Sequence, residues 1–117
     1  MATFDDVRAI ALALPEAEEV LTWETDVTFR VRGKIFAMGG DGATAASIKA
    51  TPMTQADLIE RDPETFRPSA YVGRFGWVTA NLDRIDDDLL ATLIADAWRL
   101  TAPKRLASAH PSAGAKI

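Results

Sequence analysis

With 117 residues, 48% of them apolar and 26% charged, the chain suits one soluble domain and leaves no room for a second. It has no cysteine, which excludes a disulfide framework and a thiolate metal site, and its one histidine, His110, falls in the small-residue tail "ASAHPSAGAKI". The net charge of −4 is unevenly spread, with six acids and one base in residues 1–25 but four bases and two acids in residues 26–50, which leaves only a local basic patch for gripping phosphates.

The first helix is predicted from "FDDVRAIALALP". Thr3 and Asp6 resemble a capping box, with Asp where Glu or Gln is usual. Phe4, Val7, Ala11 and Leu14 recur at helical spacing, and Pro15 ends the run. Acids stand where a signal peptide needs a basic start, and the apolar run is too short to span a bilayer, so a cytoplasmic protein with no membrane partner is expected. The acidic link from Pro15 to Val20 reads either as a loop or as a short edge strand whose charges discourage edge-to-edge pairing.

"DVTFRVRGKIFAMGG" reads as a hairpin. Phe29 and Val31 alternate with Thr28, Arg30 and Arg32, and Gly33 supplies the turn. The register across Arg32-Gly33-Lys34 stays open, because loops of different length pair different faces. Asp41-Gly42 signals a second turn, and "ATAASIKA" a further strand. Thr51-Pro52 opens a second helix, limited by Pro63, with Met53, Leu58 and Ala56 expected inward. Asp86 caps a third helix to about Ala102. There Leu89, Leu93, Ala97 and Leu100, flanked by Leu90, Ile94 and Trp98, form a wide apolar stripe. Pro103 stops it, and "KRL" can add one last turn. The order is helix, three or four strands, helix, one or two strands, helix. Adjacent strands with short turns imply an antiparallel sheet with helices on one face, an α+β two-layer sandwich.

No nucleophile elbow, Cys–His pair or His pair at metal spacing is present, so no catalytic residue, metal ligand or cofactor is assigned and a non-enzymatic protein is expected. Asp86-Asp87-Asp88 reads as acids at a helix N-terminus, since its spacing lacks the pattern of a calcium loop. Glu16, Glu18, Glu19 and Glu24 read as a solvated acidic link. The informative residues are elsewhere. Arg30, Arg32 and Lys34 gather near a hairpin tip, where a two-stranded ribbon is narrow enough to enter a nucleic-acid groove, although scattered surface bases make the polar face of an amphipathic hairpin the plainer reading.

The second candidate lies in "SAYVGRFGWVTANLD", Ser69 to Asp83. Strict alternation puts Val78, Ala80 and Leu82 on the core face. Gly73 and Gly76 disturb that alternation for Tyr71, Phe75 and Trp77. Held outward beside Arg67 and Arg74, these rings would stack on bases; turned inward, they would lock the loop. Large aromatics favour the inward arrangement, Trp77 above all, with Arg74 at an exposed tip.

Three stretches together, "FRVRGKIFA" (Phe29 to Ala37), "GWVTANLDRIDDDLL" (Gly76 to Leu90) and "DAWRLTAPKRL" (Asp96 to Leu106), resemble the MmcQ/YjbR-like family of small bacterial proteins. The resemblance covers residues 3–106 and implies one domain over 1–106, with 107–117 a disordered tail. It implies a secretion-chaperone-like α+β fold and DNA binding through two hairpin wings. Carried over by position, the wings are the Arg30–Lys34 hairpin and the Arg67–Trp77 segment. The expected contacts are Arg30, Arg32, Lys34, Arg67 and Arg74 to phosphates, with Tyr71, Phe75 or Trp77 stacking or wedging. The other reading is a protein-interaction or chaperone-like module using a sheet edge or the aromatic patch. Either would act as a monomer or weak dimer.

Overall fold

The computed structural model describes residues 2–22, 26–40 and 42–109. Asp41 and His110, with the rest of the tail from 111 to 117, lie outside the described residues. Helix α1 (Phe4–Leu12) starts at Thr3 with the expected capping box: the Thr3 hydroxyl accepts from the Asp6 amide, and the Asp6 carboxylate accepts from the Thr3 amide at 2.9 Å. The acidic link forms strand β1 (Ala17–Thr22) at the sheet edge. Strands β2 (Asp26–Val31), β3 (Lys34–Gly40) and β4 (Ala45–Ile48) follow as a meander. After helix α2 (Pro52–Arg61) come β5 (Phe66–Pro68), a 3-10 turn (Gly73–Phe75) and β6 (Val78–Asn81). Helix α3 (Asp87–Thr101) and a short α4 (Lys104–Ser108) end the described chain.

The six strands form one antiparallel sheet in the order β1-β2-β3-β4-β6-β5. Its register sorts the two faces. Val27, Gly39, Ala46, Ala80 and Phe66 are successive cross-strand partners, and all but the glycine are buried. Helices α1 and α3 pack on this face and against each other, while α2 lies against β5. Phe4 stacks on Phe29 with ring centroids 5.9 Å apart, and Gly39 leaves space for the Phe4 ring. Trp98, fully buried, donates from its indole nitrogen to the Pro15 carbonyl at 3.0 Å, tying α3 to the start of β1. Among the described residues no helix is long and apolar enough to cross a membrane.

Three expected core positions are exposed instead. Met53 is 83% exposed, because α2 packs chiefly on the three-residue β5 and fully buries Leu58 alone. Ala56 also faces out. Leu100, in the last turn of α3, is half exposed at the rim of a hollow of about 300 Å³. The α3 stripe is otherwise as expected, with Leu90, Leu93, Ile94, Ala97 and Trp98 buried.

Candidate functional site

Among the described residues no helix packs on the opposite face of the sheet, where polar residues alternate with Val20, Ile35 and Met38. Val20, Thr28, Met38, Ser47, Thr79 and Arg67 form a continuous cross-strand row over all six strands. The hydroxyls of Thr28 and Thr79 in this row are buried and bonded within the protein. Ser47 and Ser69 both contact the Thr79 hydroxyl, at 3.1 and 2.9 Å. Thr28 donates to the Val20 carbonyl at 3.0 Å. A β-bulge between Phe29 and Arg30 sends Phe36 and Ala37 both into the core and leaves Arg30 opposite Ile35 on this open face. There Arg30 lies flat, donating to Thr28 at 3.0 Å and Thr22 at 3.3 Å.

The two sequence-predicted wings share one end of the sheet. Strands β2 and β3 turn through Arg32-Gly33, with Val31 opposite Lys34. Their φ values of 52° and 81° match the two-residue turn whose twist suits a hairpin, which settles the open register. Strands β5 and β6 also form a hairpin, joined by residues 69–77. Ile48 pairs with Val78 and with Ala37, so the β2–β3 tip and the β5–β6 loop emerge on either side of the β4–α2 junction.

Between them lies a hollow of about 630 Å³ on the open face, bordered by Arg30, Arg67 and Tyr71 and floored by Met38, Ser47 and Thr79. Arg67 is exposed, and its side chain makes no hydrogen bond or ion pair among the described residues. Tyr71 is 97% exposed and sits at φ 64°, a left-handed conformation that costs a non-glycine residue about 1–2 kcal/mol.

The remaining predicted residues stand apart from the hollow. Arg32 donates from Nε and Nη2 to the two oxygens of Glu16, the second at 3.0 Å. That hydrogen bond holds the Glu16 carboxyl below its usual value and raises the Arg32 guanidinium. Lys34 is exposed at the hairpin tip. Arg74 lies over the ring of Phe75, 4.7 Å from its centroid, on the exposed 3-10 turn. Trp77 is buried, so its ring is not offered to a ligand. The cause is Gly76: its φ of 103° turns the chain inward, tight against the Ala50 carbonyl. Gln55 on α2 fixes the same loop, donating to the Gly73 and Trp77 carbonyls at 2.7 Å each.

Several members of the acid runs have structural partners, and Glu24 lies outside the described residues. Asp86 accepts from the Leu89 amide at 3.1 Å, as a helix cap does. Glu19 pairs with Arg8 at 2.9 Å. Asp62, outside the hollow, is held below the usual carboxylate range chiefly by the Thr65 hydroxyl at 2.6 Å. Among the described residues no three His, Cys, Asp or Glu side chains converge as a metal site would require. Sequence reasoning missed Thr22, Thr28, Ser47 and Thr79 as site residues. Their signal was the period-two alternation itself, which puts them on the face opposite the buried valines and alanines.

A six-stranded antiparallel sheet, covered by helices on one face and open between two hairpins on the other, defines a small α+β domain. A family model described as YjbR matches residues 12–100, and the chain belongs to the YjbR family. Among solved structures it is similar to Deinococcus radiodurans protein DR2400, which carries a DUF419 domain. The TM-score is 0.78 at 24% identity, over 86% of this chain and 78% of that one, a likeness of fold. No curated protein matches the chain.

Proposed function

We propose that this YjbR-family protein is a non-enzymatic DNA-binding domain that uses its two hairpins and the sheet face between them. The observation that carries the reading is the convergence of both hairpins at one end of the sheet, with Arg30 from one and Arg67 and Tyr71 from the other bordering a single hollow. Arg30, Lys34, Arg67 and Arg74 are the bases left for phosphates, because Arg32 is committed to Glu16. In this reading the protein is a cytoplasmic monomer or weak dimer.

Four phosphate contacts on a duplex would give a slope of about −3.6 in log K against log salt, a loss of about 150-fold from 50 to 200 mM. Lys34→Glu with Arg67→Glu should weaken binding across all sequences and flatten that slope by about two. Absence of measurable binding to duplex and single-stranded DNA alike at about 50 mM salt refutes the reading.

A protein-interaction module is the second reading, favoured by the exposure of both Phe75 and Tyr71 on one loop. It predicts partner capture that is insensitive to salt and lost in Phe75→Ser.

A further inference from the structure

We infer that the ligand lies across the open sheet face as an unpaired strand of nucleic acid, with one base stacked on Tyr71 and phosphates at Arg67 and Arg30. The inference rests on the nucleic-acid reading above and narrows it to single strands. Three observations carry it.

The first is where the cations stand. Arg30 on β2 and Arg67 on β5 are separated by four strand spacings, about 19 Å across the sheet. At about 3.4 Å per stacked residue that spans five or six nucleotides, and fewer if the bases splay. Arg30 is held flat by the Thr22 and Thr28 hydroxyls, so its guanidinium is ordered before any ligand arrives.

The second is Tyr71. A ring 97% exposed on a left-handed backbone is neither a packing residue nor a relaxed loop residue, and such outliers gather at ligand sites. Its loop is held by Gln55 and by the Gly73 amide donating to the Ser69 carbonyl at 2.9 Å. A ring face can stack only on a base that is not already stacked within a duplex.

The third is charge. Asp26 shares the rim of the hollow, and Glu18 stands opposite Arg30 across β1 and β2. These acids confine the positive field to a narrow track. A duplex would bring a broad wall of phosphates against them; one strand can pass between the two arginines. Thr79 is buried and its hydroxyl is engaged by Ser47 and Ser69, so of this pair only the half-buried Ser47 can reach a base edge.

The test is fluorescence anisotropy with a labelled single-stranded octathymidylate, a 12-base-pair duplex and an octaglutamate peptide. Single strand should bind at least tenfold tighter than duplex. Two phosphate contacts predict a slope of about −1.4 in log K against log salt, a loss of about sevenfold from 50 to 200 mM. Tyr71→Ala should weaken the single strand by about five- to hundredfold and leave the duplex unchanged. Arg67→Gln should flatten the single-strand slope by about 0.7. Lys104→Gln, at the exposed start of α4, is the control and should change nothing. Tyr71 and Arg67 are both exposed, and unchanged thermal midpoints will confirm folding. Duplex binding as tight as single strand, or no effect of Tyr71→Ala, overturns the inference while the DNA reading stands. No nucleic acid bound refutes both, and tighter Tyr71-dependent binding of octaglutamate replaces the strand with an acidic peptide.

Discussion

Gly76→Ala is the sharpest stability test, because two separable effects act at one position. The backbone there has φ 103°, and a methyl group would meet the Ala50 carbonyl oxygen at 2.5 Å, the Thr51 carbonyl carbon at 2.7 Å and the Pro52 nitrogen at 2.8 Å. The left-handed conformation alone costs alanine about 1–2 kcal/mol. The overlap involves backbone atoms on both sides, at the junction of β4 and α2, so no side chain can swing away to relieve it. Overpacking of this kind costs about 1–3 kcal/mol more. The expected total is therefore about 2–5 kcal/mol, a large share of the 5–15 kcal/mol typical of a folded domain. Gly33→Ala provides the control. Gly33 has φ 81° but nothing within 4 Å of the added methyl, so only the first cost of about 1–2 kcal/mol applies. Urea denaturation of both variants measures the difference. Equal losses within about 0.5 kcal/mol, the usual scatter for independent sites, would refute the claim that Gly76 is required for close approach.

Thr79→Val removes the hydroxyl that joins Ser47 to the buried Ser69, and should cost about 1–2 kcal/mol in the same denaturation assay. Trp98→Ala should cost about 3–5 kcal/mol, since it empties a fully buried site and frees the Pro15 carbonyl, whereas Met53→Lys should change stability by less than about 0.5 kcal/mol. Glu16 should titrate below the ordinary glutamate value of 4.5 by carboxyl NMR, and Arg32→Ala should return it upward. Because the folded value is the lower one, the stabilisation is present above 4.5 and is lost as pH falls through the depressed value, so Arg32→Ala should weaken this acid-side dependence.

Helix positions were legible where a cap and an apolar stripe coincide, as at Thr3 with Phe4, Val7 and Ala11, or at Asp86 with Leu90 to Trp98. Met53 misled because helical spacing states which residues share a face, and not how much sheet that face will meet. Over a three-residue edge strand one leucine suffices. Whether the acidic link was loop or strand depended on a partner 14 residues away, Ala17 with Val31, which no local pattern encodes. The hairpin bases were visible as a cluster. Their separation was not, because it follows from the bulge at Phe29 and Arg30 and from left-handed turns at Glu16 and Arg32 that bring that ion pair together.

That separation decides how the family's two-wing picture can apply to this chain. Sequence groups Arg30, Arg32 and Lys34 as one positive tip, yet the fold gives each a different task. Arg32 is neutralised by Glu16, Lys34 points from the turn, and Arg30 lies down on the sheet. On the other hairpin Arg74 leans on Phe75 while Arg67 stands open at the sheet edge. Elsewhere Arg8, Arg61 and Arg84 pair with Asp5, Asp57 and Glu64 at 2.6, 3.1 and 3.7 Å. The tips thus lose positive charge while the face between them keeps two arginines and an exposed tyrosine. Affinity from phosphates scales with the number neutralised, so a chain of net charge −4 with two arginines on its open face gains more from stacking a base than from embracing a duplex. Removing the tyrosine ring should therefore weaken binding more than removing any one guanidinium, and the reverse order would return the contact surface to the tips.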